Sequence, residues 1–458
     1  MKLTQLTLAN FRGFDQIDIA FEDDLTVIAG INGVGKSGIL KALATLLSHA
    51  LPKFCVCLEK PVSLFGTDVQ LSKAGLTMSC KLQLAGATLT ASVVRPAAVG
   101  PAEAIELRAR RDKLRASARY ASKRSKEALE VEDQIRQIDL RLADPTDLAT
   151  VTLLAAGGLD ADTYSVQSSA AKAQPIAVLY STNRLLSRLG PRLSTIADVY
   201  MSGAYGNALA QSEVSLNDFA NWFRAVKEGA IQMPSQSETL MKLVESTLGA
   251  LLPEVSELQL HTEGQPQFSV KKDGKRLYLW QLSDGEQGLL ALALDLLRRL
   301  ATANPFTENP VQFGSAVVLI DEVELHLHPK WQRHVVRRLR DTFRSCQFVL
   351  TTHSPQVIGQ VKAAKLRLLT CDQGKVALVP VAQSYGMDSS WVLQNIMGVP
   401  SRDYATEQSL SQIFDAIEHD DLAGARERVN AMREDIGDFP DLQEAFALIE
   451  RLEMLRRG

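Results

Sequence analysis

The segment Gly30-Ile31-Asn32-Gly33-Val34-Gly35-Lys36-Ser37 sets glycines, a lysine and a hydroxyl at the spacing of a phosphate cradle. Glycines let successive backbone N–H groups turn inward as an anion nest, and a helix starting at the lysine adds its positive N-terminal end. Lys36 would neutralise the β and γ phosphates of a nucleotide, and the Ser37 hydroxyl would reach Mg²⁺. A plain tight turn is the competing reading of these residues.

Far along the chain, Ala316 to Ile320 is an apolar run that delivers two adjacent carboxylates, Asp321 and Glu322, to a strand end. Ligands of open α/β sheets bind at such ends. Asp321 would hold Mg²⁺ through its water, and Glu322 would take a proton from an attacking water. Alone, an Asp-Glu pair after a strand equally suits a turn or a helix cap.

Two smaller motifs accompany these. Leu282 to Gln287 (LSDGEQ) opens a strongly apolar helix with Ser283, Asp284, Gly285 and Glu286, a helix start suited to an anion. Thr351 to Gln356 (TTHSPQ) places His353 just past an apolar strand, where a lone histidine is usually structural.

The elements that must position these residues are legible from periodicity. Leu6 and Leu8, then Ile17, Ile19 and Phe21, alternate as strands, and Leu25 to Ala29 is the continuous run of a buried strand ending at Gly30. Ile39, Leu40, Leu43, Leu46 and Leu47 then recur at helical spacing, so the order is strand, loop, helix. Leu76 to Leu84 and Thr88 to Val94 read as an antiparallel pair. From about Pro101 to Asp144 the chain turns basic, with nine Lys or Arg against two acids between Glu106 and Lys126, followed by Val131, Ile135, Ile138 and Leu142 at heptad-like steps. This reads as a helical insertion, its basic run either a solvated helix face or a nucleic-acid patch. Ala155 to Ala173 reads as a loop, and Pro175 to Tyr180 as another buried strand. Helical patterns over Asn217 to Arg224 and Leu240 to Leu252 precede strand-like alternation from Leu258 to Trp280. The last core strands, Ala316 to Ile320 and Gln347 to Thr352, flank a helix, and this alternation argues for an α/β layer architecture. Beyond Ser384, Leu410, Ile413, Phe414 and Ile417, then Leu442, Phe446, Ile449 and Leu452, form amphipathic stripes of the kind that usually pack internally.

With 458 residues and 46% hydrophobic content, the chain can bury a sizeable core. Its formal charge of -3 supplies no global field toward nucleic acid. Five scattered cysteines and a start without an apolar leader point to a reducing cytoplasm, and no uncharged apolar run has the length of a membrane helix.

The phosphate loop, LSDGEQ, AVVLIDE and TTHSPQ, in this order along the chain, resemble the ABC-type ATPase heads of the SMC and RecF kind over most of residues 1 to 383. The resemblance implies an α/β fold: a mixed sheet plus an antiparallel β lobe flanked by helices, with a helical insertion and a helical C-terminal extension. It divides the chain into residues 1–100 and 173–383 as the two parts of the head, 101–172 as the insertion and 384–458 as an interaction region. It implies ATP and Mg²⁺ as cofactors, with Gly30, Asn32, Gly33, Val34, Gly35 and Lys36 on the phosphates, Ser37 and Asp321 on the metal, Glu322 as the base and His353 as the switch histidine. Ser283, Gly285 and Glu286 would close on a nucleotide held by a second copy, in a head-to-head dimer. Arg12, in FRGF, would reach the nucleotide of its own chain.

Two features depart from that pattern. No glutamine aligns with the Q-loop after the strand ending at Tyr180, where the chain reads YSTNR, and Val323 stands where relatives often have proline. His326 and His328 could suggest a metal, but two imidazoles without a third ligand fit a structural or dimer-contact role better.

FRGF, the short insertion, DEVELHLHP and the tail IERLEMLRRG further resemble the PtuA family of Septu-type, retron-associated antiphage ATPases. That implies an oligomer joined to an HNH nuclease subunit of the PtuB kind, with DNA reached through the complex and no membrane involved. The alternatives are a RecF-like DNA repair ATPase and a scaffold that binds ATP with little turnover.

Overall fold

In the computed structural model, all residues are described except 72, 85–86, 97–100, 119–130, 132–133, 136–137, 140–147, 155–173, 185–188, 191–192, 194–199, 211–212, 232, 401 and 458. The chain divides into two compact units, Met1–Gly386 and Met387–Gly458.

In the first unit, a six-stranded sheet runs in the order β14-β13-β3-β12-β11-β7. Its members are β3 (Leu25–Gly30), β7 (Ile176–Tyr180), β11 (Ala316–Ile320), β12 (Gln347–Thr352), β13 (Leu366–Asp372) and β14 (Lys375–Val379). All neighbours pair in parallel except β13 with β14. Strands β3, β7, β11 and β12 are buried at every position, as parallel strands covered on both faces must be. Helix α1 (Lys36–Ala50) follows β3.

An antiparallel sheet orders β2 (Phe14–Ala20), β1 (Lys2–Phe11), β4 (Gly75–Leu84), β5 (Ala87–Pro96) and β6 (Leu148–Leu154) side by side. The expected pairing of Leu76 to Leu84 with Thr88 to Val94 is present, with Leu82 opposite Leu89. The segment read as a helical insertion holds helix α2 (Pro101–Ala118) and helical residues at Val131, Ile135 and Ile138, but it also holds β6, which pairs with β5. Leu148 to Leu154 (LATVTLL) lacks a clean apolar-polar alternation, so its strand character does not stand out beside the charged helical segment before it. Leu142 and the loop reading of Ala155 to Ala173 fall outside the described residues.

Helices α3 (Leu216–Lys227), α4 (Ser237–Leu251), α5 (Asp284–Ala303) and α6 (Pro329–Thr342) follow, with a third sheet of β8 (Val255–His261), β9 (Gln267–Lys272) and β10 (Lys275–Tyr278) before α5. Helix α5 carries a buried ion cluster. Asp295 takes Arg298 at 2.8 Å and Arg299 at 2.6 Å, and the Tyr180 hydroxyl donates to it at 3.0 Å. Burial alone would raise the Asp295 pKa, but Arg299 and Arg298 hold it down at about 2. The cluster thereby ties α5 to the end of β7 by pairing the buried carboxylate with two guanidinium groups and a hydroxyl, contacts that offset its desolvation.

In the second unit, α7 (Tyr404–Glu418), α8 (Leu422–Ile436) and α9 (Pro440–Arg457) bury Leu410, Ile413, Ile417, Val429, Leu442 and Ile449 in a common core, with Phe414, Phe446 and Leu452 packed against it. The amphipathic stripes read from sequence are thus used for internal packing. Asp403 and Asp421 cap α7 and α8, and Gly437 ends α8 at φ 88°.

Candidate active site

Strands β3, β11 and β12 run parallel, so their carboxyl ends open on one edge. The loop leaving β3 needs its glycines: Gly33 and Gly35 sit at φ 84° and 95°, and a Cβ on Gly35 would stand 2.6 Å from the Phe14 ring. A Cβ on Gly30 would meet the Leu369 carbonyl oxygen at 2.5 Å. Val34 is buried, whereas Asn32, Gly33 and Ser37 face solvent at the mouth of the loop.

Lys36 is buried and its three N–H donors all have acceptors. Nζ donates to the carbonyls of Gly30 and Ile31, each at 2.8 Å, and lies 3.2 Å from His353 Nδ1. Burial pushes its pKa down to about 8, against Glu322, Asp321 and Glu324, which act to raise it. The opposite nitrogen of His353, Nε2, lies 3.5 Å from Glu322 Oε1. The imidazole therefore stands between the lysine of the loop and the carboxylate of β11.

The acidic pair is fixed by its neighbours. The Thr351 hydroxyl donates to Asp321 Oδ1 at 2.5 Å and accepts the Glu322 N–H at 2.8 Å, so one β12 side chain registers both residues. Glu322 adopts φ 45°, a left-handed conformation rare for a non-glycine residue. Arg184, only 6% exposed, donates to the carbonyl oxygens of Asp321 and Glu322, both at 2.5 Å. Glu324 Oε1 accepts the His353 N–H at 2.5 Å. The hard oxygens of Ser37 and Asp321 suit Mg²⁺, and a buried lysine at a helix N-terminus suits a polyphosphate.

Ser283 caps α5 in a box: its Oγ accepts from Glu286 N–H, and Glu286 Oε2 accepts from Ser283 N–H at 3.0 Å. The other oxygen of Glu286 takes Lys272 at 2.5 Å, so this carboxylate serves the helix start. Gly285 is buried where a Cβ would press 2.4 Å from the His326 carbonyl oxygen. Arg12, at φ 50°, pairs with Asp68 at 2.8 Å, which also takes Lys41, and its Cδ lies 3.6 Å from a Cβ placed on Gly38 in the first turn of α1.

The structure thus brings Gly30 to Ser37, Asp321, Glu322 and His353 to one edge, and sets Arg12 beside α1. Gly285 meets the segment after Glu322, and Ser283 is engaged with Glu286. His328 Nδ1 accepts the Lys330 N–H at 3.2 Å and so caps α6. Among the described residues no group of three or more metal-ligating side chains occurs. Arg184, Thr351, Glu324 and Phe14 carry no role in the motif readings, although YSTNR, TTHSPQ, DEVELHLHP and FRGF contain them: their contacts run to other segments of the chain, which spacing within a motif does not show.

The family described as "AAA domain, putative AbiEii toxin, Type IV TA system" matches residues 105–359, more than half the chain, and that described as "AAA ATPase domain" matches residues 1–79. The chain belongs to the first of these families of AAA domains. It is 38% identical over 187 residues to the retron Ec83 probable ATPase of Escherichia coli, a match covering 41% of this chain and 34% of that protein. It is 40% identical over 141 residues to the Septu protein PtuA of Bacillus mycoides, covering 30% of this chain and 18% of that one. The DNA replication and repair protein RecF of an Arthrobacter species is 39% identical over 79 residues, 17% of this chain and 18% of RecF. These matches span about a third or less of each relative. The SMC head domain from Thermotoga maritima is similar at a TM-score of 0.40 and 18% identity, covering 83% of this chain and 99% of that one. Among the described residues no helix is long and apolar enough to cross a membrane.

Proposed function

We propose that this chain binds and hydrolyses ATP as the nucleotide-responsive subunit of an antiphage defence complex and controls an associated HNH nuclease. The observation that carries the ATPase reading is the convergence of Lys36, Asp321, Glu322 and His353 at the carboxyl ends of three parallel strands. The names of the retron and Septu relatives support the defence context.

In this reading the N–H groups of Asn32 to Gly35 and the ammonium of Lys36 hold the triphosphate, while Ser37 and Asp321 hold Mg²⁺, which supplies charge neutralisation at the phosphates. Glu322 accepts the proton of the attacking water. His353, lying between Lys36 and Glu322, exchanges its lysine contact for the phosphate end and so reports whether it is present. Arg184 positions the Asp321-Glu322 backbone. Arg12 contacts the nucleotide of its own chain, and Ser283 with Gly285 closes on that of a second copy, with Glu286 capping the helix that presents them. Residues 1–100 and 173–383 act as the head, and 384–458 as the contact region for the nuclease.

Glu322→Gln is expected to lower ATP turnover by at least about a hundredfold, the scale of a lost general base, and to lengthen the lifetime of the ATP-bound dimer. Unchanged turnover and dimer lifetime would remove Glu322 from the mechanism and leave a nucleotide-bound scaffold. Deleting residues 390–458 should abolish co-purification with an HNH partner while nucleotide binding survives; undiminished co-purification counts against the assigned contact region. The RecF matches favour a second reading, a DNA repair ATPase, which predicts salt-sensitive DNA binding by the purified chain that is lost when basic residues of 101–172 are neutralised.

A further inference from the structure

The sheet of β8 to β10 packs one face inward and carries exposed side chains on the other, where only Ser269 of β9 is covered. Phe268 and Val270 of β9 point inward, and the Phe268 ring packs 5.5 Å from Phe219 and 5.6 Å from Phe223 on α3. Alternate positions lie on the opposite face, where the register sets Ser269 opposite Tyr278 and Lys271 opposite Arg276. Two ring contacts link three side chains there, His261 at the end of β8, Tyr278 at the end of β10 and Trp280 just beyond it. His261 stands edge-on to Tyr278 at 6.1 Å, held by Ser269 Oγ at 2.8 Å from Nε2, and Tyr278 lies nearly parallel to Trp280 at 6.1 Å and 7°. Tyr278 is 40% exposed and Trp280 64% exposed, so the row presents apolar rings to water instead of to the core.

We propose that this face binds single-stranded nucleic acid, with successive bases stacked on Trp280, Tyr278 and His261 and backbone phosphates on Lys271 and Arg276. Exposed rings in a row offer a π-face to each base in turn, and flanking cations supply the sequence-independent attraction. One nucleotide would need a single ring; a row crossing two strands suits a polymer. Lys271 and Arg276 share one carboxylate, Glu257, at 2.8 and 2.7 Å. All three groups are substantially exposed, and such surface pairs are weak enough for phosphates to displace the carboxylate. Two cations against one anion leave the face positive beside its rings.

The test uses the full chain without ATP and a labelled oligothymidylate of about 15 nucleotides, within the usual site size of such surfaces. Trp280→Ala and Tyr278→Ala should each weaken binding by about 5- to 100-fold, the effect of losing one stacked base. Trp280→Phe should retain most of the affinity, and Glu257→Gln should tighten binding several-fold, an outcome that a merely structural role would not produce. The matching duplex should bind no better to the wild-type chain than to Trp280→Ala. Oligothymidylate affinity that is equal in wild type and both alanine variants overturns the proposal. So does a loss confined to ATP binding, which would assign the rings to the base of a nucleotide on a second copy. Since the oligonucleotide assay contains no ATP, its failure leaves the ATPase reading untouched.

Discussion

Gly285 and His326 meet so closely that no Cβ fits between them: a methyl on Gly285 would stand 2.4 Å from the His326 carbonyl oxygen. The start of α5 and the segment leaving the acidic pair therefore rest backbone to backbone within one chain. Movement of one must be felt by the other. Gly285→Ala should push the segment from Val323 to Leu327 outward at a cost of about 1–3 kcal/mol, the usual range for overpacking. Turnover should fall by about tenfold or more while ATP binding to Lys36 persists, and steady-state ATPase rates beside equilibrium nucleotide titrations check this. A variant with wild-type turnover would show that the contact carries no functional strain.

Arg184 deserves the next substitution because its two guanidinium donors meet the carbonyls of Asp321 and Glu322. Arg184→Lys keeps the charge but offers a single ammonium on a shorter reach, so one buried carbonyl loses its partner at about 1–3 kcal/mol. The thermal midpoint should drop by several degrees, and turnover should drop more than ATP affinity, since the Glu322 backbone is what loosens. Calorimetric melting with paired kcat and KM values decides the matter; an unchanged kcat would mean that Thr351 alone holds the pair.

Lys36 gives a pH signature. Burial lowers its pKa to about 8, so the free chain carries mostly ammonium below that pH and mostly amine above it. A triphosphate favours the ammonium, so binding near pH 8 should take up protons, and affinity should fall as the pH rises past 8. Titration calorimetry in two buffers of different ionisation enthalpy reads that uptake directly. The stability sign is opposite: between about 8 and the ordinary lysine value the unfolded chain binds more protons at this group, so the group's unfavourable contribution to folding shrinks as the pH rises through that window. Lys36→Met should remove the proton uptake; uptake that survives in this variant would assign it elsewhere.

Much of the site was legible from spacing because backbone-driven chemistry leaves its mark locally. Gly33, Gly35, Lys36 and Ser37 lie in a turn and helix start that they themselves form, and Asp321 and Glu322 directly follow the strand that carries them. Arg184, Thr351 and Phe14 make their contacts to other segments of the chain, and although motifs surround them, spacing within those motifs does not show which distant residue each one meets. Glu286 shows the limit from the other side: placed among nucleotide contacts by its motif, it spends both oxygens on Ser283 and Lys272. Strand β6 was missed for a related reason. Its partner β5 lies more than fifty residues earlier, beyond a helical segment whose charge dominated the reading of that region.

Strand β3 lies between β12 and β13, and Gln347, fully buried, holds Leu3 by two hydrogen bonds of 2.7 Å and the Glu22 carbonyl by one of 2.8 Å. During synthesis the apolar run Leu25 to Gly30 must therefore wait for residues beyond 346 before it gains its first sheet neighbour, and beyond 365 for its second. Such sequence-distant pairing is slow to form and leaves sticky strands unpaired meanwhile. A ribosome halted before β12 would thus display the loop of Gly30 to Ser37 on a strand with neither of its sheet partners.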